Sequence, residues 1–291
     1  MSKPRPDDTL LPTVEPWELP GSDGQPILGN THTPPGPQER VGQIVICHGF
    51  KGYMDYGFLP RLADTFARLG VIAHRFNFSH SGVTREFETF AKPELFERNT
   101  WNRQVFDLTQ VVEQLVNQHD LPTVLFGHSR GGITALLTAA RLPEDHIAGV
   151  ITAASPADAA RLDPQQRDLL LRVGRLPSPS GRTGQMLHVG RDWLTEIEAD
   201  PEGHDPLRAA AKLGPRAAHT HGDDDATVSI DDLSRYAAAN PPAATEIIPG
   251  GNHVFNAPNP LSRDAELSPQ TAALFDFVIE QAGPSFGVLW S

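Results

Sequence analysis

Cysteine is nearly absent from this sequence: of 291 residues one, Cys47, carries a thiol. No internal disulfide can form, so the chain is not an oxidised, disulfide-stapled scaffold. Long apolar runs are missing as well. None approaches the ~20 residues that a helix needs to cross a bilayer. The opening Met1-Ser2-Lys3-Pro4-Arg5-Pro6-Asp7-Asp8 has no apolar core behind its charges and does not read as a secretory signal. Basic residues are in the minority, 24 against 36 acidic, for a net charge of −12. Nucleic acid and anionic membrane surfaces both call for a basic footprint, so neither is expected as a partner. The expectation is a soluble, cytoplasmic protein whose oligomeric state the sequence does not reveal.

What the chain does contain is a short apolar run, Val124-Leu125-Phe126, leading through Gly127-His128-Ser129-Arg130-Gly131 into Ile133–Ala140, a good helix former. Glycines two residues before and two after Ser129 give G-x-S-x-G. A serine at the tip of a sharp strand-to-helix turn adopts a strained backbone, and side chains at the flanking positions would collide with the turn. The helix that follows aims its free N–H groups and positive dipole end at Ser129, which favours an oxyanion beside it. The plain alternative is a glycine-rich turn of any α/β protein.

Around this stretch the chain alternates strand and helix. Residues 1–40 read as a loose proline-rich arm and an edge hairpin, with extended pieces near Trp17–Leu19 and Ile27–Thr33. Gln43–Cys47 is a β-branched run expected of a central parallel strand, and Cys47 reads as a small buried apolar residue. The strand ends in His48-Gly49-Phe50-Lys51-Gly52, a loop able to point the Phe50 amide at a substrate carbonyl, with His48 ordering it. Residues 58–69 have helical spacing, Val71–Phe78 reads as a strand, and Leu95–His119 as one long helix. His80, in the loop after Val71–Phe78, either reaches substrate or is simply solvated.

After a further strand at Ile147–Ala154 the rhythm stops. Residues 157–212 are polar and helical with no convincing buried strand, and carry eight basic and nine acidic residues. They read as a helical cap inserted into a core made of 41–156 and 213–291. Alternation resumes with strands near Arg216–Gly222 and Thr245–Ile248 and helices at Asp231–Ala239 and Leu267–Gln281. An apolar tail, Phe286 to Trp290, is expected to pack back on the body.

A serine hydroxyl needs a base, and the base an orienting carboxylate. The chain supplies a carboxylate at a strand end (Asp223-Asp224-Asp225) and a histidine in the glycine-rich loop after the next strand (Gly250-Gly251-Asn252-His253), in the order Ser, Asp, His. Three adjacent aspartates cannot be separated by residue type. His219 and His221 beside them also offer imidazole and carboxylate ligands for a metal.

Gly127-His128-Ser129-Arg130-Gly131, His48-Gly49-Phe50, His221-Gly222-Asp223-Asp224-Asp225-Ala226-Thr227-Val228 and Gly250-Gly251-Asn252-His253-Val254-Phe255 together resemble the α/β-hydrolase superfamily. Phe50-Lys51-Gly52 and Arg75-Phe76-Asn77-Phe78-Ser79 are similar to the small esterases related to dienelactone hydrolases and to the catalytic domains of prolyl oligopeptidases. The resemblance spans about residues 41–282. It implies an α/β-hydrolase fold: a mostly parallel central sheet, helices on both faces and a helical cap insertion. It further implies Ser129 as nucleophile, His253 as general base and then acid, Asp225 as the orienting carboxylate with Asp224 its rival, and the Phe50 and Arg130 amides as oxyanion hole. The implied activity is hydrolysis of a small-molecule carboxylic ester without metal or organic cofactor. An acyltransferase or a small-peptide or amide hydrolase on the same residues is the alternative, and a non-catalytic binding module the remotest. Dienelactone hydrolases have a cysteine where this chain has Ser129, and prolyl oligopeptidases carry a propeller that forty residues cannot form.

Overall fold

The computed structural model describes residues 11–37 and 39–290. The chain opens with β1 (Thr13–Pro20) and β2 (Pro26–Thr33), followed by β3 (Gly42–Cys47), α1 (Leu59–Arg68), β4 (Val71–Asn77), α2 (Pro93–Glu97), α3 (Trp101–His119), β5 (Thr123–His128), α4 (Arg130–Arg141) and β6 (Gly149–Ala153). Next come α5 (Pro164–Val173), β7 (Arg175–Pro179), β8 (Met186–Gly190), α6 (Asp192–Ala199), α7 (Pro206–Leu213), β9 (Ala217–Gly222), α8 (Asp231–Ala239), β10 (Ala244–Ile248) and α9 (Pro269–Ala282). Eight strands form one sheet in the order β1-β2-β4-β3-β5-β6-β9-β10. β1 and β2 pair antiparallel, as do β2 and β4, and the other ladders are parallel.

β3, β4, β5 and β6 are buried at every residue, the pattern of parallel strands covered on both faces. Their alternating side chains feed two cores. Val45, Leu125 and Val150 meet α3, α4 and α7 on one face. Ile44, Ile46, Val124 and Phe126 meet α1 and α9 on the other, where the tail residue Phe286 also packs. β1, with Pro16 and Pro20, sits at the sheet's edge, where a missing N–H costs no ladder bond. Residues 1–10, the loose part of the expected N-terminal arm, lie outside the described residues. No helix among the described residues is long and apolar enough to cross a membrane.

Three details differ from the sequence reading. The long helix expected over Leu95–His119 is two, α2 and α3, separated at Arg98–Thr100. The start of α3 is fixed there by Thr100 Oγ1, which accepts from Arg103 N–H, and by Glu196, whose Oε1 accepts from the Trp101 and Asn102 amides. Residues 157–212 hold α5, α6 and α7 and, in addition, an antiparallel hairpin of β7 and β8. That hairpin is mostly surface and contains Pro177 and Pro179, so it carries no buried-strand signature. His80 is fully buried rather than solvated, with Nδ1 hydrogen-bonded to Ser79 Oγ.

Candidate active site

β5 runs into α4 through Ser129, whose φ of 54° and ψ of −125° place a non-glycine residue in a region that costs roughly 1–3 kcal/mol. The flanking glycines make the turn possible. A Cβ on Gly127 would lie 2.3 Å from Gly131 O, and one on Gly131 would lie 2.4 Å from Cys47 O and 2.7 Å from His48 O. All of these are backbone atoms with nowhere to retreat. The elbow is therefore pressed against the end of β3, and the loop that begins at His48 is held beside Ser129. His48 Nδ1–H donates to Gly49 O, which also accepts from Gly52 N–H. Burial pulls the His48 imidazole down to about 4, so it stays neutral. Farther along the loop, Met54 N–H donates to Asn77 Oδ1, and Arg75 reaches Met54 O and Asp55.

The end of β9 and the loop after β10 bring in the other two groups. These loops meet backbone to backbone: a Cβ on Gly222 would lie 2.0 Å from Gly251 O, and Asp224 N–H donates to that same oxygen. Asn252 and Asn256 lock the second loop, with Asn252 Oδ1 accepting from the Val254 and Asn256 amides and Asn256 Oδ1 accepting from Asn252 N–H.

His253 Nδ1–H donates to Asp225 Oδ2 at 2.8 Å, and His253 Nε2 stands 3.1 Å from Ser129 Oγ, positioned to accept its proton. Serine, imidazole and carboxylate thus lie in one hydrogen-bonded line. Asp224 is exposed, and Asp223 accepts from Gly250 N–H. Burial pushes the Asp225 carboxyl up, but hydrogen bonds from His221, His253 and the Val228 amide outweigh it and hold the group well below the usual carboxylate range. The Arg130 amide is first in α4 and has no intrahelical acceptor, and the Phe50 amide has no acceptor among the described residues.

Two neighbouring imidazoles brace this line: His221, which the sequence offered only as a possible metal ligand, and His128, to which it gave no role. His221 Nε2–H is shared between Asp225 Oδ2 and Val228 O, each at 3.1 Å. His128 Nε2–H donates to His253 O at 2.7 Å, and burial together with the nearby His253 pulls its ring down to about 3. Both residues stood inside the quoted motifs, whose catalytic signal pointed only to their neighbours. His219 bonds Thr152 Oγ1 and stacks on Tyr236, so it and His221 are engaged separately. Among the described residues no group of three or more His, Cys, Asp or Glu side chains is arranged to hold a metal ion.

A cleft of about 200 Å³ opens over Ser129 between the 49–52 loop, Tyr56 and His253. Ser180, Gly181 and Arg182, the turn between β7 and β8, form its far wall. Lys51 Nζ donates to Pro179 O and Arg182 Nη1 to Phe87 O, which ties the hairpin to the 49–52 loop and to the segment around Phe87.

An eight-stranded, mostly parallel sheet with a serine on a strained strand-to-helix turn at its carboxyl edge defines the α/β-hydrolase class of fold. The sequence model of the alpha/beta hydrolase family matches residues 44–267, more than two thirds of the chain, and the chain belongs to that family. No curated protein matches it. Among solved structures it is similar to Est1E from Butyrivibrio proteoclasticus, at 18% identity and a TM-score of 0.65 over 91% of this chain and 98% of that one. That esterase has also been solved with ferulic acid bound, at a TM-score of 0.66. The esterase domain of a Rhodothermus marinus protein aligns at 17% identity and a TM-score of 0.62, covering 91% of this chain and 96% of that chain. A soluble variant of the monoglyceride lipase of Saccharomyces cerevisiae, in complex with a substrate analogue, aligns at 18% identity and a TM-score of 0.66, covering 95% and 97%. These likenesses are of fold.

Proposed function

We propose that this chain is a serine hydrolase of carboxylic esters. The observation that carries the reading is the line from Ser129 Oγ through His253 to Asp225, with contacts of 3.1 and 2.8 Å, set on a strained elbow. Ser129 Oγ attacks the ester carbonyl as His253 Nε2 takes its proton. Asp225 holds the imidazole with Nδ1 protonated and stabilises the imidazolium that forms. The tetrahedral oxyanion is received by the Phe50 and Arg130 amides, fixed dipoles that need no reorganisation during the reaction. His253 then returns the proton to the departing alcohol, leaving an acyl group on Ser129. A water, deprotonated by the same imidazole, releases the acid.

Residues 157–212 act in this proposal as the cap, since the turn of the β7–β8 hairpin walls the cleft. The likeness to esterase and lipase folds favours an ester over other acyl compounds. A series of p-nitrophenyl esters of increasing acyl length, hydrolysed by wild type and by Ser129→Ala, tests the reading together with labelling by a fluorophosphonate probe. Turnover in the wild type, its loss in the variant and a probe adduct mapped to Ser129 are expected. Equal turnover by the two proteins would remove the mechanism.

A further inference from the structure

Arg130 contributes a backbone amide to the proposed oxyanion hole, but its side chain has no part in that chemistry. It is nine-tenths buried. The guanidinium lies 4.4 Å from the Trp101 ring, 5.4 Å from Phe50 and 6.0 Å from Trp193. Its Nε and Nη2 are buried without an acceptor among the described residues, and so is Nε1 of Trp193. Trp101, by contrast, donates its indole N–H to Ala159 O. Three N–H donors therefore lie buried in one aromatic cluster behind Phe50, with no acceptor among the described residues to meet them. Leaving such groups unpaired away from water is costly, the more so for a cation.

The charges around this cluster do not cancel it. Glu196, the carboxylate that bears on Arg130, makes no ion pair with it; its Oε1 accepts from the Trp101 and Asn102 amides. Burial pulls Arg130 down to about 10, so it remains a cation at neutral pH. His48 beside it stays neutral, held down by burial and by Arg130's own charge. The charged residues lining the cleft over Ser129 are Lys51 and Arg182, both basic, in a chain whose net charge is −12. Phe50 lines that cleft and packs on the guanidinium, so the reaction centre and the buried cation are separated by one aromatic ring.

Building on the ester-hydrolase reading, we propose that Arg130 and Trp193 form a carboxylate-binding subsite for the acyl part of the substrate, which is a monoester of a short dicarboxylic acid. Phe50 is the one ring between the cleft and the guanidinium, so in this proposal an acyl chain of a few carbons held on Ser129 passes the edge of Phe50 to reach Arg130. The aromatic walls supply an apolar path for its methylenes, and the donors receive its terminal carboxylate through charge-assisted hydrogen bonds. Lys51 and Arg182 at the mouth attract the anion into an otherwise acidic protein.

The test compares kcat/KM for the mono-p-nitrophenyl ester of glutaric acid with that for p-nitrophenyl pentanoate, in wild type, Arg130→Met and Trp193→Phe. The wild type favours the charged ester by about tenfold or more, the scale of one charge-assisted hydrogen bond. Arg130→Met abolishes that preference, and Trp193→Phe lowers it severalfold. A second readout is independent of turnover: glutarate raises the melting temperature of the wild type and of Trp193→Phe more than pentanoate does. This keeps the proposal testable should Arg130→Met not fold. Turnover of the neutral ester with no preference for the charged one, and equal shifts by the two acids, would overturn the subsite and leave the hydrolase reading standing. Absence of turnover on either ester would overturn the hydrolase reading, and this proposal with it.

Discussion

Acidification should unfold this protein well above the range where carboxylates titrate, because five histidines are stored in the fold as neutral, buried rings. His48 and His128 bond the Gly49 and His253 carbonyls, while His74, His80 and His219 bond the hydroxyls of Thr31, Ser79 and Thr152. Burial pulls each one down, His74 and His128 to about 3 and His48, His80 and His219 to about 4. In the unfolded chain all five have an ordinary value of about 6.5. Below that pH the unfolded chain binds protons that the folded chain refuses, so stability falls as pH drops from about 6.5 towards 4. One group works the other way. Asp107, buried under the Ser22 and Ser79 amides and the Ser79 hydroxyl, is pushed up to about 6 by burial, so it gains a proton in the fold before it does in the unfolded chain. It offsets about one of the five histidines. Near pH 5 the net difference is about four protons, or about 5 kcal/mol of stability lost per pH unit. Because folded domains hold only about 5–15 kcal/mol, that slope exhausts the fold within one to three units of its onset. Urea titrations followed by tryptophan fluorescence, run in steps from about pH 7.5 to about pH 5, give the slope directly. His219→Gln should flatten it by roughly 1.4 kcal/mol per pH unit. A urea midpoint unchanged from neutral pH down to about pH 5 would show that these rings are not held neutral and would refute the reasoning.

Other outcomes concern the site. Gly131→Ala places a Cβ about 1 Å inside ordinary contact with the Cys47 carbonyl, and the displaced β3 end carries Gly49 and Phe50 with it. A fall in kcat of about 10²-fold with KM little changed is expected in p-nitrophenyl ester assays. Asp225→Asn should lower kcat by on the order of 10⁴-fold through the wrong imidazole tautomer. Asp224→Asn should be nearly silent, and the reverse ranking would reassign the carboxylate. His221→Phe removes one of the bonds that hold Asp225 ionised. The acid limb of the kcat/KM–pH profile should move to higher pH, with kcat/KM reduced about tenfold.

The sheet and its elbow were legible because their signals are local. The apolar run Val124-Leu125-Phe126, the G-x-S-x-G and the helix former after it carry the strand, the sharp turn and the helix in adjacent residues. Among the three aspartates the choice was illegible from composition, since Asp223, Asp224 and Asp225 differ only in which way the turn after Gly222 aims them. The break at Arg98–Thr100 escaped notice because apolar spacing continues across it. What fixes the start of α3 is Glu196, nearly a hundred residues away. The β7–β8 hairpin, proline-bearing and exposed, has neither the alternation nor the apolar content of a core strand. Yet its turn forms one wall of the cleft, which no local pattern in residues 175–190 would indicate. Arg130 looked like part of a turn signature. Its burial among Phe50, Trp101 and Trp193 arises only when three separate segments close around it.

The contact of Gly222 with Gly251 means that Asp225 and His253 are not independently adjustable. Their loops leave neighbouring strands and rest on one another with no side chain between, so a shift in either transmits to its companion undiluted. Grafting only one of them into a related scaffold would separate the two by the thickness of whatever residue replaced the glycine. They must be transplanted as a matched pair.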